Sequence, residues 1–316
     1  MYGDTKLYYA TDCLKSSKWG NDAEAENLLA LNRPESPKCQ PIYLDTFRQI
    51  ALTTDDYMTK RAWGDAAAFA SFNSVMLGWI GDTKKIYDAT TYNAYVGTAE
   101  TDIGRQKMEI DVTAVVGDTT GEAKARLEGQ AIAEGIANLL VDLTDVSRDF
   151  NDYGFLRSYN VDDLIFVWNS KAVSKIEKRD LPTIYHKEIM DKFGEYTLPA
   201  RYFGTVNTSP TAGNGTTVRS LVEQDVPKTS GSSTVHVFAG DIIPTSCTAA
   251  ANTSYTTDDK ILFKVMHKNS VPYMSAFEVG TSFYNPKSLT TNHYLTFGHN
   301  TLQYLGNYPL ITVRQK

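Results

Sequence analysis

The sequence predicts an α+β fold, in which strands and helices cluster along the chain and do not strictly alternate. Three observations carry that prediction. Residues 2–53 hold two extended, aromatic and β-branched runs separated by a polar excursion. Two later segments repeat apolar residues at three- and four-residue steps over helical lengths. Residues 257–316 break into short apolar runs divided by turn residues.

The first arm is LYYATDCL, followed by a turn region rich in Ser, Lys, Gly and Asn at 16–21. A short helix-like patch at 23–31 stops at Asn32-Arg33-Pro34, because proline pushes its predecessor out of helix. Pro37 and Pro41 keep the return path extended, and PIYLDTFRQIALT at 41–53 suits a strand. The expected product is a long hairpin with a floppy tip. Thr54-Asp55-Asp56 reads as a helix start, with a capping side chain and acids in the first turn. Ala66, Phe69, Ala70, Phe72, Val75, Met76, Trp79 and Ile80 then predict a long helix over 65–96, bent near Gly78 and Gly81, with its aromatics as a core stripe.

KMEIDVTAVV at 107–116 alternates as a strand, and GDTTG at 117–121 reads as turn and cap. A second helix is predicted over 122–146, with Ile132, Ile136, Leu139, Leu140 and Leu143 as its buried stripe. A loop at 151–159, a buried strand LIFVWN at 164–169 and a short helix at 171–178 follow. Residues 204–234, rich in Gly, Ser, Thr and Pro, read as a surface loop or mobile flap. Strands are expected at 235–238, 261–266, 276–279, 294–297 and 310–313, and 247–258 is polar and small.

Composition narrows the function. The chain has 316 residues, 42% hydrophobic and 22% charged, enough to bury a core. Its net charge of −6 argues against general nucleic-acid affinity, which needs a clustered basic face. The densest basic run, KAVSKIEKR at 171–179, reads as a solvated helix face. No apolar run reaches the roughly 18 residues that span a bilayer, and the opening MYGDTKLYYATDCLK lacks a secretory pattern. Cys13, Cys39 and Cys247 are odd in number and far apart, so they read as reduced thiols. The N-x-S/T triplets at Asn207, Asn214 and Asn252 arise by chance in Ser/Thr-rich segments.

Candidates for chemistry are thin. His186 in HKE lacks the second histidine that a zinc-binding helix requires. His267, His293 and His299 lie on separate β segments. Asp162-Asp163 precede a buried strand and read as its cap more readily than as a magnesium site. GDTTGEAK matches a phosphate loop only loosely, because Glu122 follows the second glycine. No G-x-S-x-G is present, and no cysteine has an activated partner in sequence. The expectation is therefore no catalytic, cofactor-binding or metal residue and no cofactor. The long arm and the scattered Tyr8, Tyr9, Tyr43, Tyr57, Tyr294, Tyr304 and Tyr308 point to protein–protein contact instead.

Several stretches carry a family resemblance. They are YGDT at the start, PIYLDTFRQIALTTDDYMTKRAWGDAAAFASFNSVML, RDFNDYGFLRS with DDLIFVWNSKAVSKIEKRDLPTIYH, and NPKSLTTNHYLTFGHNT with NYPLITV. In that order they resemble the major capsid proteins of tailed phages, nearest to short-tailed phages, with the Hong Kong 97-type capsid fold. The resemblance implies an extended loop at 1–53, a peripheral domain at 54–118 and 257–316 with a spine helix near 65–96, and an axial domain at 119–256 with a flexible 204–234 loop. In that family an N-terminal arm precedes the extended loop. This chain begins almost inside the loop, so the arm is expected upstream or is not used. The implied function is an icosahedral shell around double-stranded DNA in the virion, assembled in the host cytoplasm. The implied partners are further copies as hexamers and pentamers, a portal, and scaffolding or decoration proteins, with no membrane. An encapsulin-like compartment and a soluble α/β enzyme are the alternatives. The enzyme would need a pocket holding perturbed ionisable groups.

Overall fold

The computed structural model describes residues 5–16, 31, 33–55, 66–99, 107–111, 117, 119–172 and 194–316. The chain opens with β1 (Thr5–Ala10) and β2 (Lys38–Asp55), then α1 (Ala66–Gly97), β3 (Thr98–Ala99), β4 (Lys107–Ile110) and α2 (Gly121–Thr144). There follow β5 (Leu164–Asn169), β6 (Gly194–Leu198), β7 (Gly204–Val206), β8 (Thr211–Ala212), β9 (Val218–Ser220), β10 (Gln224–Pro227) and β11 (Thr234–Val237). The last strands are β12 (Thr248–Ala249), β13 (Ser254–Thr257), β14 (Ile261–His267), β15 (Ser275–Asn285), β16 (Thr290–Asn300) and β17 (Leu310–Gln315). Helix and strand are thus mixed as an α+β chain.

The core is a five-stranded sheet in the order β4-β17-β14-β5-β6. β14 pairs antiparallel with β17 and β5, while β4 and β6 add parallel strands outside them. A central strand covered on both faces reads as a near-continuous apolar run, and ILFKVM does. Phe263 and Val265 face α2, whose Ile132, Ile136, Leu139 and Leu143 form its buried stripe, as their spacing predicts. Ile261 and Met266 face the other way, onto Val96, Phe203 and Leu302. Each such side chain, fully buried, contributes about 1.5–3 kcal/mol. This sheet draws β14 and β17, expected in the peripheral unit, alongside β5 and β6 from the expected axial unit.

A second sheet runs β1-β2-β16-β15, all antiparallel. β2 extends through Asp55, so Thr54 and Asp55 do not start a helix. Thr54 is buried opposite Thr291, and its hydroxyl donates to the Thr291 carbonyl at 3.3 Å. Eleven paired residues of ladder outweigh one capping side chain. Asp56 lies outside the described residues, as do residues 17–30 of the hairpin tip, Tyr57 and His186. Of the strand expected at 107–116 only Lys107–Ile110 is described as one, and of the helix at 171–178 only 171–172.

α1 is a continuous helix through Gly78 and Gly81, about 48 Å long at 1.5 Å per residue. Its C-terminal end is buried. Tyr87 packs edge-on to Phe297 at 5.3 Å, and Ala94 and Val96 are in the core. Gly97 lies so close to the Tyr202 backbone that a Cβ there would collide with it. The core stripe expected for its first half is not met at two of its positions. Val75 is 69% exposed and Trp79 63% exposed. The helix spacing is right, but among the described residues no second element lies over that face.

The largest departure is at 204–234. The region is not a flap. It is a small β unit in which β3, β7, β13 and β9 lie side by side in that order, β10 pairs with β11, and β8 pairs with β12. Val218, Val226, Val237, Ile243, Cys247 and Ala249 form its own core. Its polar residues hold the backbone. The Asn214 carboxamide oxygen accepts from the Thr217 and Val218 amides at 2.9 and 3.0 Å. Gln224 donates to Ser220 Oγ at 2.8 Å and to the Thr253 carbonyl at 2.9 Å. Side chains that satisfy short strands in this way give the composition of a loop.

Candidate assembly surface

The residues singled out for chemistry do not converge. Asp162 and Asp163 sit in a single 3₁₀ turn before β5, where the Asn160 side chain accepts from the Asp162 amide at 3.3 Å. Asp163 lies 3.7 Å from Lys268, and both are half exposed. Thr120 precedes α2 in extended conformation but makes no side-chain capping bond.

Each histidine on the β segments is spoken for. His299 Nδ1 donates to the Asn300 carbonyl at 2.8 Å, so Nε2 accepts from the Tyr87 hydroxyl at 2.6 Å. His293 bonds Ser282 and Thr54. His267 stacks on Tyr308 at 4.3 Å, and burial lowers its pKa. Among the described residues, no group of three His, Cys, Asp or Glu is placed to hold a metal ion, and no helix is long and apolar enough to cross a membrane. Cys13 and Cys39 are exposed, Cys247 is buried, and all three are free.

Two polar features escaped the sequence reading. Lys264, at the centre of ILFKVM, has no solvent exposure. Its Nζ donates to the carbonyls of Val96, at 3.0 Å, and Thr98, and it lies 5.4 Å over the Tyr304 ring. A cation on the last carbonyls of a helix is favourable, and this one clips the end of α1 to the central sheet. A charged residue inside a buried-strand pattern was the available signal. The second feature is His236, with Nδ1 2.8 Å from Asp225 and Nε2 3.2 Å from Glu223. Beside it, Arg48 of β2 donates to the Glu223 carbonyl at 2.6 Å, tying the second sheet to the small β unit.

The arm root is fixed in the same manner. Gln40 donates to the Tyr304 carbonyl at 2.8 Å, and Arg157 donates to the Thr11 carbonyl at 2.6 Å. The Asp12 carboxylate accepts from the Leu156 amide at 3.0 Å and pairs with Arg148 at 2.9 Å. The Leu156 amide first, and then Arg148, pull the Asp12 pKa down to about 2.

What remains unsatisfied is apolar surface. In β2 the residues from Ile42 to Thr54 alternate, even numbers inward and odd numbers outward. Directly opposed residues share a face. The registers therefore put Leu7, Tyr9, Tyr43, Phe47, Val279 and Phe283 on one outer face, all exposed. On α1 the 4- and 7-residue steps align Val75, Trp79 and Ile86 as an exposed stripe. Of the tyrosines expected as anchors, Tyr9 and Tyr43 are exposed. Tyr304 and Tyr308 instead stack on Tyr95 and His267. Phe47, Val279 and Phe283 were missed because alternation marks one strand face without saying whether it is covered, and Trp79 was expected in a core stripe because helical spacing is equally silent on cover.

Such a surface suits a chain that is one tile of a larger assembly, and the comparisons agree. The fold matches a chain in the capsid structure of Staphylococcus phage Andhra with a TM-score of 0.64 at 10% identity, covering 100% of this chain and 81% of that one. It matches a chain from the structure of head fiber and inner core protein gp22 of native bacteriophage P68 with a TM-score of 0.60 at 10% identity, covering 99% and 81%. The fold is thus the Hong Kong 97-type expected from the sequence. No curated protein matches the chain. The family model of the Phi29-like phage major capsid protein matches residues 1–303, and the chain belongs to that family as a shell protein of the phage virion, built from many copies.

Proposed function

We propose that this capsid protein closes an icosahedral shell as hexamers and pentamers and encloses double-stranded DNA without reading its sequence. One observation carries the reading. The chain completes its central core alone, yet leaves an apolar sheet face and an apolar helix stripe open. Large exposed apolar patches mark interaction sites. Many modest contacts, repeated around rotation axes, sum to a stable closed particle.

In this reading the β1–β2 hairpin is the extended loop that reaches a neighbour, with Asp12, Gln40 and Arg157 holding its root. α1 and the β2-β16-β15 ladder form the peripheral unit. α2, the central sheet and the small β unit form the axial one, with β14 and β17 counted there because they pair with β5 and β4. The net charge of −6 suits an inner wall that should not grip packaged DNA. A portal and scaffolding or decoration proteins are its further partners, and assembly proceeds in the host cytoplasm. The role calls for no catalytic residue.

Sedimentation velocity, with negative-stain imaging of the fast fraction, tests the proposal on protein from its native source. A discrete megadalton species with closed icosahedral outlines is the expected result. A monomer or small oligomer that persists at all concentrations refutes it.

A further inference from the structure

The second sheet ends on a strand with no partner among the described residues and nothing to discourage one. β15 is last in the order β1-β2-β16-β15. Every residue from Glu278 to Tyr284 is exposed, and the seven residues from Val279 to Asn285 include no charge and no proline. Natural edges are blunted by lysine, proline, shortness or a bulge, because an open row of N–H and C=O groups templates another strand. The only irregularity in the β15–β16 register lies between Ser275 and Phe277, ahead of the exposed stretch.

This edge is complementary to itself. Set two copies antiparallel about a two-fold axis at Ser282, so that Ser282 faces Ser282. Gly280 then lies opposite Tyr284 of the second copy, Thr281 opposite Phe283, and Val279 opposite Asn285. A Cβ at Gly280 would meet nothing within 4 Å, so the space above it is free for the exposed Tyr284 ring. An aromatic laid over a glycine in this way is a known means of pinning strand register. On the other face the two Phe283 rings become diagonal neighbours, within reach for aromatics. At each end Glu278 falls opposite Pro286 of the second copy, where the strand has already ended at Asn285. Among the described residues of its own chain Glu278 pairs with Lys84, at 3.7 Å.

We propose that two copies of this chain join edge to edge through β15, antiparallel about a two-fold axis at Ser282, to make one eight-stranded sheet. The contact is isologous, with the same strand presented by both copies. It rests on the shell reading, since a shell supplies the second copy.

Disulfide trapping tests it. Ser282 is exposed, and among the described residues its hydroxyl bonds His293, at 2.9 Å, so Ser282→Cys leaves the fold intact. Shells of the full-length variant are oxidised gently and run on a non-reducing gel. The same is done in a background carrying Cys13→Ser and Cys39→Ser, which removes both exposed native thiols. Most chains should run as dimers in both backgrounds. Gly280→Cys, which faces Tyr284, should give at least tenfold less dimer. Dimers that vanish without Cys13 and Cys39 would put a neighbour's arm on this edge and overturn the proposal. Intact shells without dimers, or equal dimers at positions 280 and 282, would also overturn it. If the unmodified chain forms no shells, it is the shell reading that has failed.

Discussion

The central sheet and the outer sheet are built from the same residue types and reach opposite ends. In the central sheet each apolar side chain of β14 meets another element of the same chain, α2 on one face and the end of α1 on the other. In the outer sheet one face packs inward, through Phe297 and His299 on Tyr87, while the other carries Tyr43, Phe47, Val279 and Phe283 to solvent. Burial therefore stabilises the first region within one chain and is deferred in the second until other copies arrive. A tile of this kind can fold first and assemble later.

Substitutions should separate the two regions, and subunit unfolding in urea measures the first set. Phe263→Ala removes a ring packed against Trp168 at 4.5 Å and Phe166 at 5.7 Å. It should lower subunit stability by about 3–5 kcal/mol. Lys264→Met keeps the length but leaves the Val96 and Thr98 carbonyls without their donor. A loss of roughly 2 kcal/mol is expected, with faster hydrogen exchange at the end of α1.

The next effect is smaller and depends on pH, because His267 is only partly buried. Desolvation holds its folded pKa below the ordinary 6.5, with Asp163 opposing and Lys268 assisting. The unfolded chain therefore takes up the proton first. Its contribution is full above pH 6.5 and is lost as pH falls from there through the depressed folded value. The urea midpoint should drop over that window, and His267→Gln should flatten the change.

Phe47→Ser and Trp79→Ser sit at the other end of the scale. Both residues are exposed in the subunit, so stability should move by no more than about 0.5 kcal/mol. Shell yield, read by sedimentation, should fall at least tenfold. A large stability loss with normal shells would reverse the comparison.

Legibility followed the same division. α2 and β5 were readable because a helix stripe and a short apolar run are local patterns, and both are answered within the chain. The extent of β15 was not readable beyond 276–279, because Gly280, Thr281 and Ser282 weaken its apolar signal and its partner in the chain is β16. Thr54 looked like a cap because capping is local, whereas its true partner, Thr291, is 237 residues away. The small β unit was hidden because Asn214, Gln224 and Ser220 do by hydrogen bonding what apolar residues do elsewhere. Lys264 broke the pattern of its strand, and that break marked the clip on α1. The absence of chemistry in the candidate list came from motif spacing, which cannot show where His267, His293 and His299 would lie.

Hydrogen exchange on the free subunit and on the assembled shell tests the central claim most directly. Amides of β14 and β5 should be equally protected in both states. Amides of Val279 to Asn285, and those beneath the Val75, Trp79 and Ile86 stripe, should gain protection only in the shell. Protection of β15 already complete in the free subunit, or a gain spread evenly over both sheets, would contradict the account.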